Sequence, residues 1–430
     1  MKIQPVKGTR DFYPPDMARR NWIIDGWKKV SVRNGFEEYD GPIFEYLKMF
    51  QIKSGDEIVE QLFSFKDRGG RDLALRPEIT PTLARMVNRR INSLPKPIKW
   101  FSVPRLFRAE RPQKGRLREF FQWNIDIIGV DDVLADAEVI FTTLDYLRDV
   151  GLTDKDIKVK ISSRKLLAAF LRSVGIQKQR FESIYAVLDK KPRIPADTFN
   201  KMLEEQIPDK NKIGKILDFM SITSIPELDA FIKLPDEEFG AYKEIKNIFH
   251  QLSFMGVDNF CVFDPRIVRG LAYYTGIVFE VHDVVGDLRA ICGGGRYDSL
   301  LRDFGGPPVS ATGMGMGDCV LEILLIEKGL SENKIPKRQL DYFVALADRI
   351  FSKKVYEIAA ELRRRNFSAN FSYKPLSGLV KQLKEASAQN AKKCVIIGEE
   401  INNNQIVIKD MATGEQEIVN VDDFLSQLKS

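Results

Sequence analysis

Histidine is almost missing from this chain: His250 and His282 are the only two in 430 residues. A mechanism built on a histidine base, or a metal site built from several histidines, is therefore nearly excluded. Cysteine is as scarce. Cys261, Cys292, Cys319 and Cys394 form no C-x-x-C pair, and their scatter fits neither a zinc finger nor a disulfide framework. A reducing cytoplasm is the simple expectation, with no metal site assigned on spacing. Long hydrophobic runs are absent too. Stretches such as residues 394–397 are far too short to span a bilayer. The opening MKIQPVKGTR lacks the apolar core of a signal peptide. No repeat of solenoid or propeller period occurs. Neither the P-loop pattern GxxxxGK[ST] nor GxGxxG is found, so a phosphate site has to be built from arginines on a sheet.

What remains is an ordinary globular composition, with 44% hydrophobic and 29% charged residues. The length suggests about three domains. A net charge of +6, from 66 basic and 60 acidic residues, is mild for a nucleic-acid protein. Its distribution is more informative. Arg105, Arg108, Arg111, Lys114, Arg116 and Arg118 face one acid, Glu110, within 14 residues. Pro112 and Gly115 mark a turn there, so the basic groups sit on a hairpin loop. Arginine forks bind phosphates bidentately, whereas a charge run taken alone is more often a solvated loop.

Periodicity predicts a first helix over 16–34, capped by Asp16 and closed by Gly35, burying Ile23, Trp27 and Val30. Strands are predicted over 36–44, broken at Gly41-Pro42, and over 98–103, 105–107 and 119–128. In the last of these Phe121, Trp123, Ile125 and Ile127 share one face. Phe120, Gln122, Asn124, Asp126 and Ile128 share the other. That polar row either lines a cleft or is the solvated face of an antiparallel sheet. A helix over 136–150 and a strand over 157–161 follow. Residues 163–253 change to helical stripes and read as an insertion. Strands resume at 259–263 and 276–282. The polar stretch 331–338 reads as a linker, leading into an α/β module over 339–430 of alternating strands and crossover helices.

At these residues a resemblance emerges. FRAERPQKGRLREFFQWNIDIIG, residues 107–129, resembles the second signature of the class II aminoacyl-tRNA synthetases. GFEEYDGPIFE, residues 35–45, is similar to their first, at the dimer interface. LRPEITPTLAR, residues 75–85, resembles their amino-acid-binding loop, and VKGTRDFYP near the start also matches. VRGLAYYTGIVFE, residues 268–280, and GGGRYDSLL, residues 293–301, resemble two signatures peculiar to the histidyl-tRNA synthetases.

The resemblance implies an α+β chain. An antiparallel catalytic sheet with flanking helices occupies residues 1–330, with the helical insertion inside it. An α/β anticodon-binding domain follows. It implies ATP with Mg²⁺, L-histidine and histidine tRNA as substrates, a homodimer in the cytoplasm, and no membrane. By resemblance Arg108 bridges the histidine carboxylate and the α-phosphate of ATP, and Arg269 meets that phosphate from the opposite side. Glu78, Thr80 and Gln122 match the positions holding the α-amino group. Asp126 and Tyr274, with Tyr273 beside it, match the reader of the imidazole. Glu110 and Arg116 fall on the ATP side, Glu110 as a candidate Mg²⁺ ligand. Gln113, Lys114, Arg116 and Arg118 are expected at the tRNA acceptor end.

Gly293, Gly294 and Gly295, and Gly313, Gly315 and Gly317, let backbones approach closely. Taken alone these residues have blander readings: core packing for Tyr273-Tyr274, a helix-start carboxylate for Glu78, and turns or bulges for the glycine rows. The chain also departs from the pattern. The third class II signature places an arginine where this sequence reads GMGMGDCVLE, with Asp318, Cys319 and Val320, so Arg116 is a candidate to cover part of that role. Ala272 stands where the histidine signature has aspartate. Two non-enzymatic rivals share the resemblance: the histidine-sensing regulatory subunit of ATP phosphoribosyltransferase and an uncharged-tRNA sensor. The first typically lacks the C-terminal module and the catalytic arginines. The second is normally fused to a kinase, for which this length leaves no room.

Overall fold

The computed structural model describes residues 3–52, 61–191, 194–268, 273–286, 288–332, 334–374 and 378–428. It divides into two compact units, residues 1–335 and 336–430.

The strands of the first unit are β1 (Glu37–Glu38), β2 (Phe44–Tyr46), β3 (Ser64–Lys66), β4 (Asp72–Leu75), β5 (Ile98–Ser102), β6 (Arg105–Phe107), β7 (Glu119–Ile128), β8 (Ile157–Ser163), β9 (Cys261–Phe263), β10 (Ile277–Asp283), β11 (Cys292–Arg296) and β12 (Ala311–Gly317). The main sheet runs β1-β5-β7-β12-β11-β10-β8-β9, and β6 adds to β7. All its pairings from β5 to β8 are antiparallel; only the outer β1 and β9 join in parallel.

One face of this sheet is packed under helices. Helix Pro14–Arg33 buries Ile23, Trp27 and Val30 against it. Trp27 stacks on Trp123 of β7 at 6.3 Å. Trp123 Nε1 donates to Ser31 Oγ at 2.8 Å, and Ser31 Oγ donates in turn to the Trp27 carbonyl. Helix Leu134–Asp149 lies on the same side, with Ile140, Leu144 and Leu147 in the core. Helices from Arg164–Ser173 to Phe239–Phe254 follow β8 before the chain returns at β9.

Several local expectations need correction. The first helix starts at Pro14 and ends at Arg33, with Tyr13 rather than Asp16 at its cap. Proline at the first positions loses no helical hydrogen bond. The extended stretch 36–44 is broken around Gly41-Pro42 as expected, but its two parts go to different sheets: β1 joins the main sheet and β2 a separate three-stranded sheet β2-β4-β3. The glycine rows are not turns. They are the central strands β11 and β12. Residues 258–260 form a short helical turn before β9.

In the second unit β13 (Leu340–Leu346), β14 (Ala369–Phe371) and β15 (Ala391–Ile397) are parallel, in the order β14-β13-β15. An antiparallel hairpin, β16 (Gln405–Asp410) and β17 (Gln416–Asn420), extends the sheet, and alternation in the sequence had not marked it. Helices Ser352–Arg364 and Leu379–Ala388 make the crossovers.

Candidate active site

The second face of the main sheet floors a cleft of about 760 Å³. Phe120, Gln122, Asn124 and Asp126 line it, while Trp123, Ile125 and Ile127 lie in the core behind. The polar row of β7 therefore lines a cleft and is not a solvated face. Its neighbour β12 contributes Gly313, Gly315 and Gly317, opposite Asp126, Asn124 and Gln122. At two of them the missing Cβ leaves room for the β7 side chains. A Cβ on Gly313 would sit 2.2 Å from Asp126 Oδ1, and one on Gly315 would sit 2.9 Å from Gln122 Cδ.

Asp126 is buried at one end of the cleft. Its Oδ1 accepts from the Tyr297 hydroxyl. Its Oδ2 is buried without a hydrogen-bond partner among the described residues. Burial pushes the carboxyl up to about 7, and the Tyr297 hydrogen bond only partly opposes that. The buried phenols of Tyr39 and Tyr297 are held well above their ordinary range, first by burial and then by the Asp126 charge. Around them Glu78 Oε2 accepts from the Tyr273 hydroxyl at 3.0 Å. Tyr273 packs against Tyr274 at 5.0 Å and against Tyr297 at 5.9 Å. Arg164, at the first turn of the helical block, donates to the Tyr274 carbonyl at 2.9 Å. Thr80 opens helix Thr80–Arg90 and lines the same cleft.

The other end is cationic. Arg108 Nε donates to the Pro77 carbonyl at 3.0 Å, and its guanidinium lies 5.2 Å over the Phe120 ring. Glu110 is buried and ion-paired with Arg116. Gln113 and Arg116 close a reciprocal backbone turn, for which Gly115 adopts φ +73°. Lys114 pairs with Glu327 at 3.0 Å. Arg118 is spent on structure: its side chain donates to the Glu110 and Lys7 carbonyls, and its N–H to the Gly8 carbonyl. Arg269 and Ala272 lie outside the described residues. At the third signature Asp318 is buried, accepts from the Phe121 N–H at 3.0 Å and pairs with Arg10 at 2.5 Å. Cys319 and Val320 reach the cleft.

Tyr297 and Tyr39 were missed by sequence reasoning. A signal existed for Tyr297. It continues the i, i+2 parity of Gly293 and Gly295, and its N–H still bonds the Ala311 carbonyl one step beyond β11. Among the described residues no group of three or more His, Cys, Asp and Glu side chains converges as a metal cage. Glu110 lines the cleft beside Arg108 and Arg116, and Asp264, Glu280 and His282 line it as well without forming such a group. That set suits a divalent ion carried by phosphate oxygens rather than a dedicated protein site.

A family model for histidyl-tRNA synthetase matches residues 8–317, and one for an anticodon binding domain matches residues 341–430. The chain belongs to the histidyl-tRNA synthetase family. It is 39% identical over 427 residues to a chloroplastic/mitochondrial histidine–tRNA ligase of Arabidopsis thaliana, spanning 98% of this chain and 86% of that one. A histidine–tRNA ligase of Opitutus terrae is 37% identical over 96% of this chain and 94% of its own. In fold, the chain is similar to the crystal structure of histidyl-tRNA synthetase from Nostoc sp. PCC 7120, with a TM-score of 0.79 at 24% identity, covering 100% and 99% of the two chains.

Proposed function

We infer that this chain is a histidine–tRNA ligase, which activates L-histidine with ATP and esterifies histidine tRNA. The observation that carries the reading is a linear arrangement along one strand face. Arg108 over Phe120 comes first, then Gln122, then Asp126. At about 3.3 Å per residue the span from Gln122 to Asp126 is about 13 Å. Phosphate, ammonium and imidazole then have separate partners in the order in which an amino-acid adenylate presents them.

The histidine carboxylate is already ionised, so its attack on the α-phosphorus needs no protein base. One oxygen bonds phosphorus, and the bond to the bridging oxygen breaks to release pyrophosphate. What the step needs is alignment and neutralised phosphate charge. Arg108 serves it from this side, and Arg269 is assigned to the opposite side. Asp126 accepts from one ring N–H of the imidazole and Tyr274 meets the other nitrogen, while Glu78, Thr80 and Gln122 hold the ammonium. The terminal ribose hydroxyl of the tRNA then displaces AMP from the adenylate. Gln113, Lys114 and Arg116 face the acceptor end. Glu110 is the carboxylate that would help hold a Mg²⁺ entering with ATP, an ion that would screen the phosphate charge.

The regulatory-subunit reading is weaker, because Arg108 is in place and the C-terminal module is present. A homodimer is favoured by an uncovered aromatic patch on the small sheet. Phe44 and Tyr46 of β2 and Phe65 of β3 are exposed, with Phe44 and Phe65 6.2 Å apart, and β2 continues from the first-signature segment. No helix among the described residues is long and apolar enough to cross a membrane. A cytoplasmic setting rests on the free cysteines.

The deciding experiment is histidine-dependent ATP–pyrophosphate exchange with Mg²⁺. Exchange should be robust, and Arg108→Ala or Arg269→Ala should lower it roughly 10²–10³-fold, by analogy with loss of a donor to developing transition-state charge. No exchange from the folded, unsubstituted chain would overturn the enzyme reading. Normal exchange in both variants would overturn the roles of the two arginines.

A further inference from the structure

We propose that Arg10 and Asp318 form a clasp that positions the lining of the cationic end of the cleft, and that they thereby act as positioning residues for ATP; this rests on the ligase reading above. Arg10 belongs to the segment before the first helix. Asp318 heads helix Asp318–Glu327, where the third signature departs from its pattern. Neither is among the described residues that line the cleft. Their effect on the site runs through the neighbours they hold.

Asp318 is buried, and its two oxygens hold different elements. Oδ1 accepts from the Phe121 N–H at 3.0 Å, one step past Gly317 and Gln122, the last pair of the β12–β7 ladder. The carboxylate does for β7 what one more residue of β12 would do. It thereby fixes Phe120, whose ring lines the cleft under Arg108. Oδ1 also accepts from the Cys319 thiol at 3.4 Å, and Cys319 and Val320 line the same cleft. Oδ2 accepts from Arg10 Nη2 at 2.5 Å. A buried carboxylate keeps such a place only while a cation meets it.

Arg10 is held in its turn. Its guanidinium lies 4.9 Å from the Phe12 ring, and Phe12 sets its edge on Phe121 at 6.3 Å. Arg10 Nη1 also reaches Glu322 at 3.4 Å, one helical turn beyond Asp318. Just before it, the Gly8 carbonyl accepts from the Arg118 N–H at 2.8 Å, and the Lys7 carbonyl accepts from the Arg118 side chain. A Cβ on Gly8 would sit 2.6 Å from Pro112 Cγ, so the segment is pressed onto the basic loop. Residues 7–12 therefore tie that loop, which carries Arg108 and Arg116, to the helix that carries Cys319 and Val320. These are two parts of one cleft lining, and a shift of about 1 Å between groups that align a substrate can cost about 100-fold in rate.

The test uses the full chain. Arg10→Ala leaves Asp318 as a buried lone charge, so Arg10→Met/Asp318→Leu, which leaves none, is measured beside it. Both should lower kcat/KM for ATP in pyrophosphate exchange by about 10- to 100-fold, while KM for histidine stays within about twofold. Arg10→Lys, which keeps a cation on Asp318, should recover most of that loss. Alkylation of Cys319, read by peptide mass, should be faster in the two disabled variants than in the unsubstituted chain, because the lining it belongs to is no longer held. Equal losses for ATP and histidine, or an Arg10→Lys enzyme no better than Arg10→Ala, would make the pair general scaffolding and overturn the positioning role. So would normal ATP kinetics in the folded double variant. No exchange from the unsubstituted chain would instead strike the ligase reading, and the alkylation rates, which need no activity, would then decide the clasp by themselves.

Discussion

Tyr297 donates its phenolic hydrogen to Asp126 across 171 residues of sequence, holding one carboxylate oxygen and leaving the other buried without a hydrogen-bond partner among the described residues. Because burial lifts this carboxyl to about 7 and Tyr297 lowers it, the pair sets a pH dependence. Asp126 reads an imidazole N–H in its charged form, so kcat/KM for histidine should fall as pH drops through about 7. Tyr297→Phe removes the lowering contact, and the inflection should move to higher pH. Free histidine titrates near 6.5 with both enzymes, so the comparison isolates Asp126. Stability runs the other way. A carboxyl raised above its ordinary 3.8 contributes stability below that pH, and the contribution is lost as pH rises toward about 7. Identical pH profiles for the two enzymes in exchange assays would remove Asp126 from ring recognition.

Gly315 tests whether the bare backbone of β12 is functional. A methyl there would meet Gln122 Cδ at 2.9 Å and its Nε2 at 2.9 Å. A flexible side chain can yield, so the fold should survive with a modest loss, roughly 1–3 kcal/mol as for other overpacked sites. Gly315→Ala should nonetheless displace Gln122 and raise KM for histidine at least tenfold, with a much smaller change for ATP. Equal changes for both substrates would mean that Gln122 is not an amino-acid contact.

These residues also mark what could be read without coordinates. The alternation over 119–128 was enough to place Gln122 and Asp126 on one face, because a strand's period of two is local. The buried stripe of the first helix was legible for the same reason. Tyr297 and Tyr39 were not: Tyr297 reaches Asp126 through the register of β7, β12 and β11, Tyr39 comes near it from the other side through β5, and register is a long-range property. The glycine rows were legible as places of close approach, as Gly313 and Gly315 are. That they lie in the middle of a sheet was not, because glycine is depleted in strands. Arg118, one more cation in the loop, was grouped with the tRNA contacts by charge, whereas its hydrogen bonds hold the segment at Lys7 and Gly8.

Arg296 precedes Tyr297 and faces the other way. It forms a buried pair with Asp136 at 2.5 Å and donates to the Val130 and Asp132 carbonyls. It thereby ties β11 to the start of helix Leu134–Asp149. Burial raises the Asp136 carboxyl, and Arg296 opposes that shift. Removing one member of such a pair leaves an uncompensated charge, which costs roughly 3–5 kcal/mol. Asp136→Ala should therefore lower stability in denaturant titrations by about that amount. A loss below about 1 kcal/mol would mean that water reaches Arg296 once its partner is gone.

The proposed division of labour between the two units predicts a separation of the two half-reactions. Every residue lining the cleft lies between Gln61 and Val320, inside the unit that ends at Ile335. The second unit has apolar cores of its own, one around Val344, Ile358 and Val395 and one around Phe343, Cys394 and Ile396, and the cores on the main sheet hold no described residue beyond Leu330. Histidyl-adenylate formation uses only small substrates and the cleft. Charging also needs the tRNA held in place, and salt-sensitive phosphate contacts from Arg349, Lys353, Lys354 and the Arg363–Arg365 run are assigned that task. A chain ending at Ile335 should keep histidine-dependent pyrophosphate exchange and lose most aminoacylation of histidine tRNA. Circular dichroism and sedimentation should first establish that the shortened chain is folded and in the same oligomeric state as the full chain. Raising salt should weaken charging by the full chain while leaving exchange nearly constant. If the folded, shortened chain charges tRNA at the full-length rate, residues 336–430 do not hold the tRNA, and the assignment of this unit fails.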